Sequence, residues 1–403
     1  MNILKHRYAR SASLCYLDYF LYGMAYIILA QNMSFLGKQF QVDSTDISFL
    51  IALFGLGRLC TVFVDGILVD RLGRKRIMIA GCLLMIVFLV GVPLSPSYQM
   101  AMFFSLFGGF SIGCLDTSTY PSLIEFFPNN AGIATVVLKL IVSFGSSVLP
   151  LVTVFCYNRH LFLGIPFFAI ALVFLISAVF LFRSSFPDKN SAAVSAESPP
   201  NIHFVKKPNF WLDGTSLILI GFTAPGLLYL MQTWLPTYGQ KIIGMGLSES
   251  LKLVSFYNVG AILSVIGMTF LLAKGIKPVT FLLAYPVLSI LATIGLMGST
   301  NSLLAQIAAF FIGVFTAGIF QLCLTVICQF FWNIKGKVTG AVDTATGIAQ
   351  AGIPFITGII LRYGTIHSVF VFSLIINIIA VFCGLFINYR YRKLLRRSVG
   401  QNS

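Results

Sequence analysis

The chain has 403 residues, of which 58% are hydrophobic and only 10% are charged. Soluble globular proteins carry about 25% charged residues, so this composition excludes a water-soluble enzyme, and its apolar content also excludes a disordered chain. The formal net charge is nevertheless +15. A basic balance points either to nucleic acid or to a membrane surface, and the positions of the positive residues decide between them.

Apolar stretches long enough to cross a bilayer as helices follow one another along the whole chain. None of them alternates apolar and polar residues as a strand of a membrane β-barrel does. Twelve transmembrane helices are therefore predicted, near 12–36, 46–69, 77–94, 98–125, 133–156, 161–183, 211–235, 251–273, 278–298, 302–330, 339–361 and 366–388.

The positive residues are distributed unevenly between the two ends of these helices. If the N-terminus is cytoplasmic, 20 of the 27 Lys and Arg residues fall in cytoplasmic segments and five in outer segments. This asymmetry predicts a multi-pass protein of the bacterial inner (plasma) membrane with both termini cytoplasmic. Because the basic residues are spread over six loops and tails, nucleic acid is not a predicted partner. The expected partners are the lipid bilayer, a small-molecule substrate and a proton, with the monomer as the functional unit.

A polar segment rich in Ser, Pro and Lys, residues 184–209, divides the chain into residues 1–183 and 210–403. Its composition is that of a cytoplasmic linker. The two parts share sequence, because 125–132 (EFFPNNAG) resembles 329–336 (QFFWNIKG) at a spacing of 204 residues. The predicted fold is therefore all-α, with twelve transmembrane helices in two pseudo-symmetric six-helix halves, an arrangement found in carriers whose halves rock about a central site.

A motif after the second predicted helix resembles a family signature. Residues 66–76 read GILVDRLGRKR, which resembles the G-x-x-x-D-R-x-G-R-[KR] signature of the major facilitator superfamily. The resemblance implies the major facilitator fold and a cytoplasmic gate that opens and closes between two states. The basic residues of the motif also serve as topology determinants. The predicted gating residues are Gly66, Asp70, Arg71, Gly73, Arg74, Lys75, Glu125 and Asp343.

Asp343 has two interpretations. It is predicted to lie at the cytoplasmic start of the eleventh helix, where an acid is favourable in itself because of the helix dipole. Alternatively, it is a gating partner of Arg71 or Arg74.

A second resemblance is to a smaller group. The segments 30–33 (AQNM), 55–59 (GLGRL) and 115–125, together with Lys139 and 143–145, resemble those of uncharacterised enterobacterial carriers associated with shikimate and quinate metabolism. This resemblance implies that the substrate is a small hydroxylated or aromatic carboxylic acid.

Four charged residues lie inside predicted helices, where a charge costs roughly 2.5–3.5 kcal/mol or more and therefore usually faces a cavity or a partner. Asp116 and Lys139 are predicted to pair at similar depth, either as a structural ion pair or as a proton and substrate site. Arg58 has the planar geometry that binds a carboxylate, although a gating or structural role is the alternative. Asp18 is a second candidate for proton coupling.

Further polar residues on the expected cavity helices are candidates for binding substrate hydroxyl groups, or else for helix packing. They are Gln31, Asn32, Tyr120, Gln232, Trp234, Tyr257, Asn258 and Gln321. With Arg58 and Lys139, all of them except Gln232 form the predicted substrate-binding set.

The predicted function is secondary active transport by alternating access, most simply proton-coupled symport of a small organic anion. The alternatives are proton-driven efflux of drugs or metabolites and uptake of sugars or polyols. Efflux is disfavoured because residues 143–150 (SFGSSVLP) lack the Gly-Pro pair typical of exporters. No enzyme, cofactor or metal site is predicted, because there is no HExxH or GxxxxGK[ST] motif and no CxxC spacing among the eight cysteines.

Overall fold

A computed structural model of the chain describes residues 8–127, 131–186 and 208–395, with the side chains of a few positions inside the helices left out. Every regular element in these ranges is helical. Most of the predicted linker, 187–207, lies outside the described residues.

The described residues form fourteen α-helices. They are α1 (Ala9–Gln31), α2 (Met33–Phe40), α3 (Ser44–Leu72), α4 (Arg74–Leu94), α5 (Tyr98–Phe126), α6 (Ala131–Asn158), α7 (Ile165–Phe182), α8 (Thr215–Lys241), α9 (Leu247–Ala273), α10 (Pro278–Met297), α11 (Ser302–Thr316), α12 (Ile319–Phe330), α13 (Lys335–Tyr363) and α14 (Ile366–Leu395). A π-helical turn, Phe210–Gly214, precedes α8.

Twelve helical segments in the described ranges are long and apolar enough to cross a membrane, which confirms the predicted number. One of them, Ser302–Phe330, consists of α11 and α12 together. The chain breaks between these helices at Ala317, which is extended, and at Gly318, whose φ of 79° is left-handed. Glycine adopts that conformation without a steric penalty.

The outer faces of the helices are apolar, whereas several polar side chains lie inside. Phe382 and Leu303 are 68% and 65% exposed, while Ser105, Ser111 and Asn377 are fully buried. This distribution is the reverse of that in a soluble domain and is expected where the surroundings are lipid.

The helices form two compact units, one of residues 1–196 with 354–359 and the other of residues 197–353 with 360–403. In the first unit, α3 and α4 both pack along α5, and α1 packs along α6. In the second unit, α9 and α10 both pack along α11, and α8 packs along α14.

The sequence repeat extends to the positions at which helices begin. The helices α4, α5 and α6 begin at Arg74, Tyr98 and Ala131, and α10, α11 and α13 begin 204 residues later in each case. The spacing found in one short motif is therefore kept by three pairs of helices. It allows residues of the two units to be compared position by position.

Candidate functional site

The central feature of the first unit is an ion pair in the middle of its helices. The guanidinium of Arg58, on α3, lies 3.0 Å from Oδ2 of Asp116, on α5. The other carboxylate oxygen, Oδ1, accepts a 2.7 Å hydrogen bond from the hydroxyl of Tyr19, on α1. Three helices therefore converge on one carboxylate. The sequence predicted Lys139 as the partner of Asp116, whereas in the structure Arg58 contacts this carboxylate directly.

Lys139 belongs to the same region through a different contact. Its ammonium group, on α6, lies 5.4 Å from the centre of the Tyr120 ring, and that ring packs edge-on against Tyr19 at 5.7 Å between centroids. A cation over an aromatic face is attracted by the ring quadrupole. Arg58, Asp116, Lys139, Tyr19 and Tyr120 together are called the charged cluster.

The charges of this cluster do not cancel. Arg58 and Lys139 are cations and Asp116 is an anion, which leaves a formal charge of +1 among the ionised side chains. The side chains of Arg58 and Asp116 keep 20% and 21% of their surface accessible. An excess positive charge inside a membrane protein is costly unless an anion compensates it. The arrangement can therefore bind an anion.

Aromatic rings extend the charged cluster along α1. Tyr19 stacks on Tyr22 at 5.2 Å between centroids, and Tyr22 stacks on Tyr26 at 6.0 Å. The sequence analysis did not select these tyrosines. Their spacing of three and four residues, which places side chains on one helical face, is the signal that would have identified them.

Asp18, the next residue to Tyr19 on α1, faces a different neighbour. It is fully buried, and its Oδ2 accepts a hydrogen bond from the thiol of Cys82, on α4, at 3.7 Å. The side chains of adjacent residues on a helix point about 100° apart, so Asp18 and Tyr19 contact different neighbours.

A second polar group lies in the second unit and consists of neutral side chains. Nε2 of Gln232, on α8, donates to Oδ1 of Asn258, on α9, at 3.0 Å. The hydroxyls of Tyr257 and Thr316 are 2.8 Å apart. Gln232, Asn258, Tyr257 and Thr316 are called the neutral cluster. Trp234, also predicted for the site, is fully buried on the same helix as Gln232.

Three other predicted binding residues are placed differently. The side-chain amide of Asn32 donates to the carbonyl of Ile28 at 2.9 Å and so satisfies the end of α1. Gln31 is 97% buried, and neither its oxygen nor its nitrogen has a hydrogen-bond partner among the described residues. Gln321 is half-buried near the start of α12.

The gating motif forms the turn between α3 and α4. Gly73 joins the two helices with a φ of 86°, a left-handed conformation that explains the glycine of the motif. Arg74 makes an ion pair with Glu125 at the end of α5. Lys75 donates to the carbonyl of Phe182, the last residue of α7, and to that of Ser184 just beyond it, at 2.9 Å each.

The structure gives fewer contacts for the remaining residues of the motif. Arg71 is exposed in the last turn of α3. Gly66 and Asp70 lie in α3 at positions where only the backbone is described, so the predicted role of Asp70 stays a prediction.

The position of Asp343 corrects one interpretation. It was expected at the start of its helix, but α13 already begins at Lys335 and has no acidic residue in its first turn. The helix dipole acts within about one turn of the helix end, so it does not explain this acid. Asp343 is exposed.

A further ion pair was not predicted. Arg390, on α14, contacts both oxygens of Asp213 at 2.6 and 2.8 Å, and Asp213 is fully buried at the turn before α8. The backbone N–H of Asn209 also donates to this carboxylate at 2.8 Å. The partners are 177 residues apart in sequence, so no local pattern connects them. In the parts of the chain that the structure describes, no three His, Cys, Asp or Glu side chains come together as metal ligands.

Comparison with known sequences gives a consistent family assignment. The profile of the Major Facilitator Superfamily matches residues 15–300. The uncharacterized MFS-type transporter YfkL of Bacillus subtilis is 40% identical over 386 residues, covering 96% of this chain and 97% of the relative. The 3-(3-hydroxy-phenyl)propionate transporter of Escherichia coli is 25% identical over 364 residues, covering 87% of each.

Comparison with solved structures supports the same fold. The crystal structure of a D-xylose-proton symporter aligns with a TM-score of 0.75 at 13% identity, covering 94% of this chain and 96% of the other. At this identity the similarity concerns the fold alone.

Proposed function

The chain belongs to the major facilitator superfamily and is a membrane transporter, not an enzyme, and we propose that it moves a small organic anion together with a proton. The substrate of this proposal is a hydroxylated or aromatic carboxylic acid. The direction is uptake across the bacterial inner membrane, with both termini cytoplasmic and the monomer as the transporting unit.

The observation that carries the proposal is the charged cluster. It combines an excess positive charge, a guanidinium of fork-like geometry and accessible side chains in the middle of membrane-spanning helices. Guanidinium groups bind carboxylates through two parallel hydrogen bonds. A substrate carboxylate supplies an anion to these two cations when Asp116 is protonated, whereas a neutral sugar supplies none.

Coupling to a proton follows from competition for Arg58. In the structure, Arg58 is held by Asp116. A substrate carboxylate that takes the guanidinium leaves Asp116 as an uncompensated anion in a membrane interior, which is unfavourable. Protonation of Asp116 removes that cost, so substrate and proton bind together. Asp18, buried beside Cys82, is the second acid that can hold a proton during the cycle.

The stacked tyrosines support an aromatic substrate. Tyr22 and Tyr26 continue from Tyr19 along one face of α1, and aromatic rings favour stacked or edge-on contacts with one another. The relative named as a transporter of 3-(3-hydroxyphenyl)propionate supports the same class, an acid with a hydroxylated ring.

Gating residues complete the proposed cycle. In the proposal, the Arg74–Glu125 ion pair and the contacts of Lys75 hold the start of α4 in one state, and their rearrangement accompanies the transition to the other. Arg71 and Asp343, both exposed, are the further residues that we assign to this gate.

The test is uptake of 3-(3-hydroxyphenyl)propanoate by the purified protein in liposomes, with and without an imposed pH gradient. An inward proton gradient is expected to accelerate uptake. Lys139→Ala is expected to lower it at least about tenfold, a loss of about 1.4 kcal/mol of binding, whereas Lys139→Arg retains part of it. Lys38→Ala, at an exposed position of α2, is the control and leaves uptake unchanged.

Two results would overturn the proposal. An uptake rate that does not change with the pH gradient contradicts proton coupling. Normal uptake by Lys139→Ala contradicts the proposed anion site. Uptake of neutral sugars or polyols without uptake of any acid favours the alternative substrate class.

A further inference from the structure

We infer that the Gln232–Asn258 pair binds a hydroxyl group of the transported molecule. This inference rests on the proposed function, because it concerns a hydroxyl group of the proposed substrate. It assigns a role to Gln232.

The first step is that the pair is buried and only half satisfied. Gln232 and Asn258 are 94% and 98% buried. Their single mutual hydrogen bond uses Nε2 of Gln232 and Oδ1 of Asn258. The other two polar atoms, Oε1 of Gln232 and Nδ2 of Asn258, are buried and have no hydrogen-bond partner among the described residues. Such atoms are costly, so a native structure that retains them requires a reason.

The second step is that this result does not depend on how the amides are oriented. The oxygen and nitrogen of an amide are assigned from the hydrogen-bond network. If both amides are rotated, Asn258 donates to Gln232 and the unsatisfied atoms become the oxygen of Asn258 and the nitrogen of Gln232. Either way, the pair presents one unsatisfied acceptor and one unsatisfied donor.

The third step is a proline that adds an acceptor at the same place. Pro236 lies four residues after Gln232 in α8 and has no N–H to donate to the carbonyl of Gln232. The same helix contains Pro225, which deprives Gly221 in the same way. There the freed carbonyl accepts a hydrogen bond from Thr346 at 3.0 Å.

The fourth step is that a hydroxyl is the group of the proposed substrate that fits the pair. A hydroxyl both donates and accepts, so one hydroxyl satisfies the acceptor and the donor of the pair together. A carboxylate only accepts and an ammonium group only donates, and each leaves one atom of the pair unsatisfied. Sites built to bind a hydroxyl reject an analogue that lacks it, because their own buried polar atoms are then left unpaired.

The experiment compares two acids that differ in one hydroxyl, 3-(3-hydroxyphenyl)propanoate and 3-phenylpropanoate. Their affinities for the purified full-length protein are measured by ligand-induced thermal stabilisation, which rises with ligand concentration relative to Kd. The unmodified protein is expected to prefer the hydroxylated acid at least about tenfold. In Gln232→Met and in Asn258→Leu, which keep similar side-chain volumes, the ratio falls to within about threefold through weaker binding of the hydroxylated acid.

Asn377→Leu is the matched control. Asn377 is fully buried, and its amide donates to the carbonyl of Ser373 on its own helix, while its Oδ1 has no hydrogen-bond partner among the described residues. A lone unsatisfied acceptor is not the acceptor and donor that Gln232 and Asn258 present together, so the ratio is expected to stay unchanged. A melting temperature of the ligand-free variants close to that of the unmodified protein shows that they fold. The inference is overturned if folded Gln232→Met and Asn258→Leu proteins keep the tenfold ratio, or if the unmodified protein shows no preference.

Failure of the proposed function gives a different result. If neither acid binds, the anion proposal fails, and the same proteins are screened with neutral polyols. Loss of polyol binding in both amide variants then supports the hydroxyl site. Unchanged binding in those variants, or no binding of any hydroxylated compound by the unmodified protein, overturns it.

Discussion

The two units place different chemistry on corresponding helices. In the first unit, α3 supplies Arg58 to an ion pair, whereas in the second unit α9 supplies Asn258 to a neutral amide pair. Helices α3 and α9 begin 203 residues apart, and at that spacing Ala261 occupies the position of Arg58, and Gly55 occupies the position of Asn258. The two units can therefore have the same helix arrangement although the side chains on corresponding helices differ.

What the units share is close helix packing. Gly109 on α5 and Gly313 on α11 are 204 residues apart. A Cβ at either position would collide with a backbone carbonyl of the neighbouring helix, that of Phe54 and that of Tyr257 respectively. Small residues let membrane helices approach closely where no hydrophobic effect drives them together. The two units therefore share these close contacts between helices, whereas the residues of the charged cluster and the neutral cluster differ.

The largest expected effect comes from removing the charge that distinguishes the first unit. Arg58→Ala is expected to lower uptake of an anionic substrate at least about a hundredfold, equivalent to about 2.8 kcal/mol, because the carboxylate loses its bidentate partner. Arg58→Lys retains part of the activity, since an ammonium group keeps the charge without the planar geometry. Uptake is measured in proteoliposomes.

The control is Arg159→Ala, which removes an exposed arginine whose guanidinium lies over the ring of Phe155. Unchanged uptake is expected. Normal transport of the anion by Arg58→Ala would contradict the proposed role of the charged cluster in binding the anion.

The second effect compares ion pairs at different burial. Arg390→Ala leaves the fully buried carboxylate of Asp213 without its partner, and breaking a buried pair costs about 3–5 kcal/mol. Arg74→Ala breaks a pair whose side chains are 28% and 20% exposed, so a loss of about 1 kcal/mol is expected. Thermal unfolding in detergent measures both. The double variant Asp213→Asn/Arg390→Ala is expected to be more stable than Arg390→Ala, because it leaves no buried charge unpaired. Equal destabilisation by Arg390→Ala and Arg74→Ala would contradict the expected dependence on burial.

The smallest effect tests what the units have in common. Gly109→Ala and Gly313→Ala are each expected to destabilise the protein by about 1–3 kcal/mol, the usual cost of overpacking. The matched change is Gly267→Ala, at a helical position of α9 where a Cβ meets nothing within 4 Å. It is expected to be neutral or slightly stabilising, because alanine is the better helix former. A large difference between Gly109→Ala and Gly313→Ala would show that the two units do not rely on the same packing.

The fold was largely predictable from the sequence, because each determinant of it is local. A run of about 20 apolar residues specifies a membrane helix without reference to the rest of the chain, and all twelve were predicted. The repeat at 204 residues was visible in one short motif and holds for three pairs of helix starts. Errors arose where a boundary mattered, as for Asp343, which lies eight residues into a helix that begins at Lys335 and not near residue 339.

The site was predicted as a set of residues but not as a set of contacts. Arg58, Asp116 and Lys139 were selected because charge is costly in a membrane at any position. Their pairing was not selected, since the direction of a side chain depends on the rotation of each helix about its axis. That rotation is fixed by packing, as at Gly109, and it brings Arg58 and Tyr19 to Asp116.

By itself, the sequence determined the membrane class, the number of helices, the repeat and the family, because hydropathy, spacing and a continuous motif are properties of the chain in one dimension. The tertiary structure decided which carboxylate meets which cation, that Asp213 is held by Arg390, and that the amides of Gln232 and Asn258 leave a donor and an acceptor unsatisfied. Each of these depends on helices that are distant in sequence and adjacent in space, and hydrogen bonds form only at short range and in the right direction.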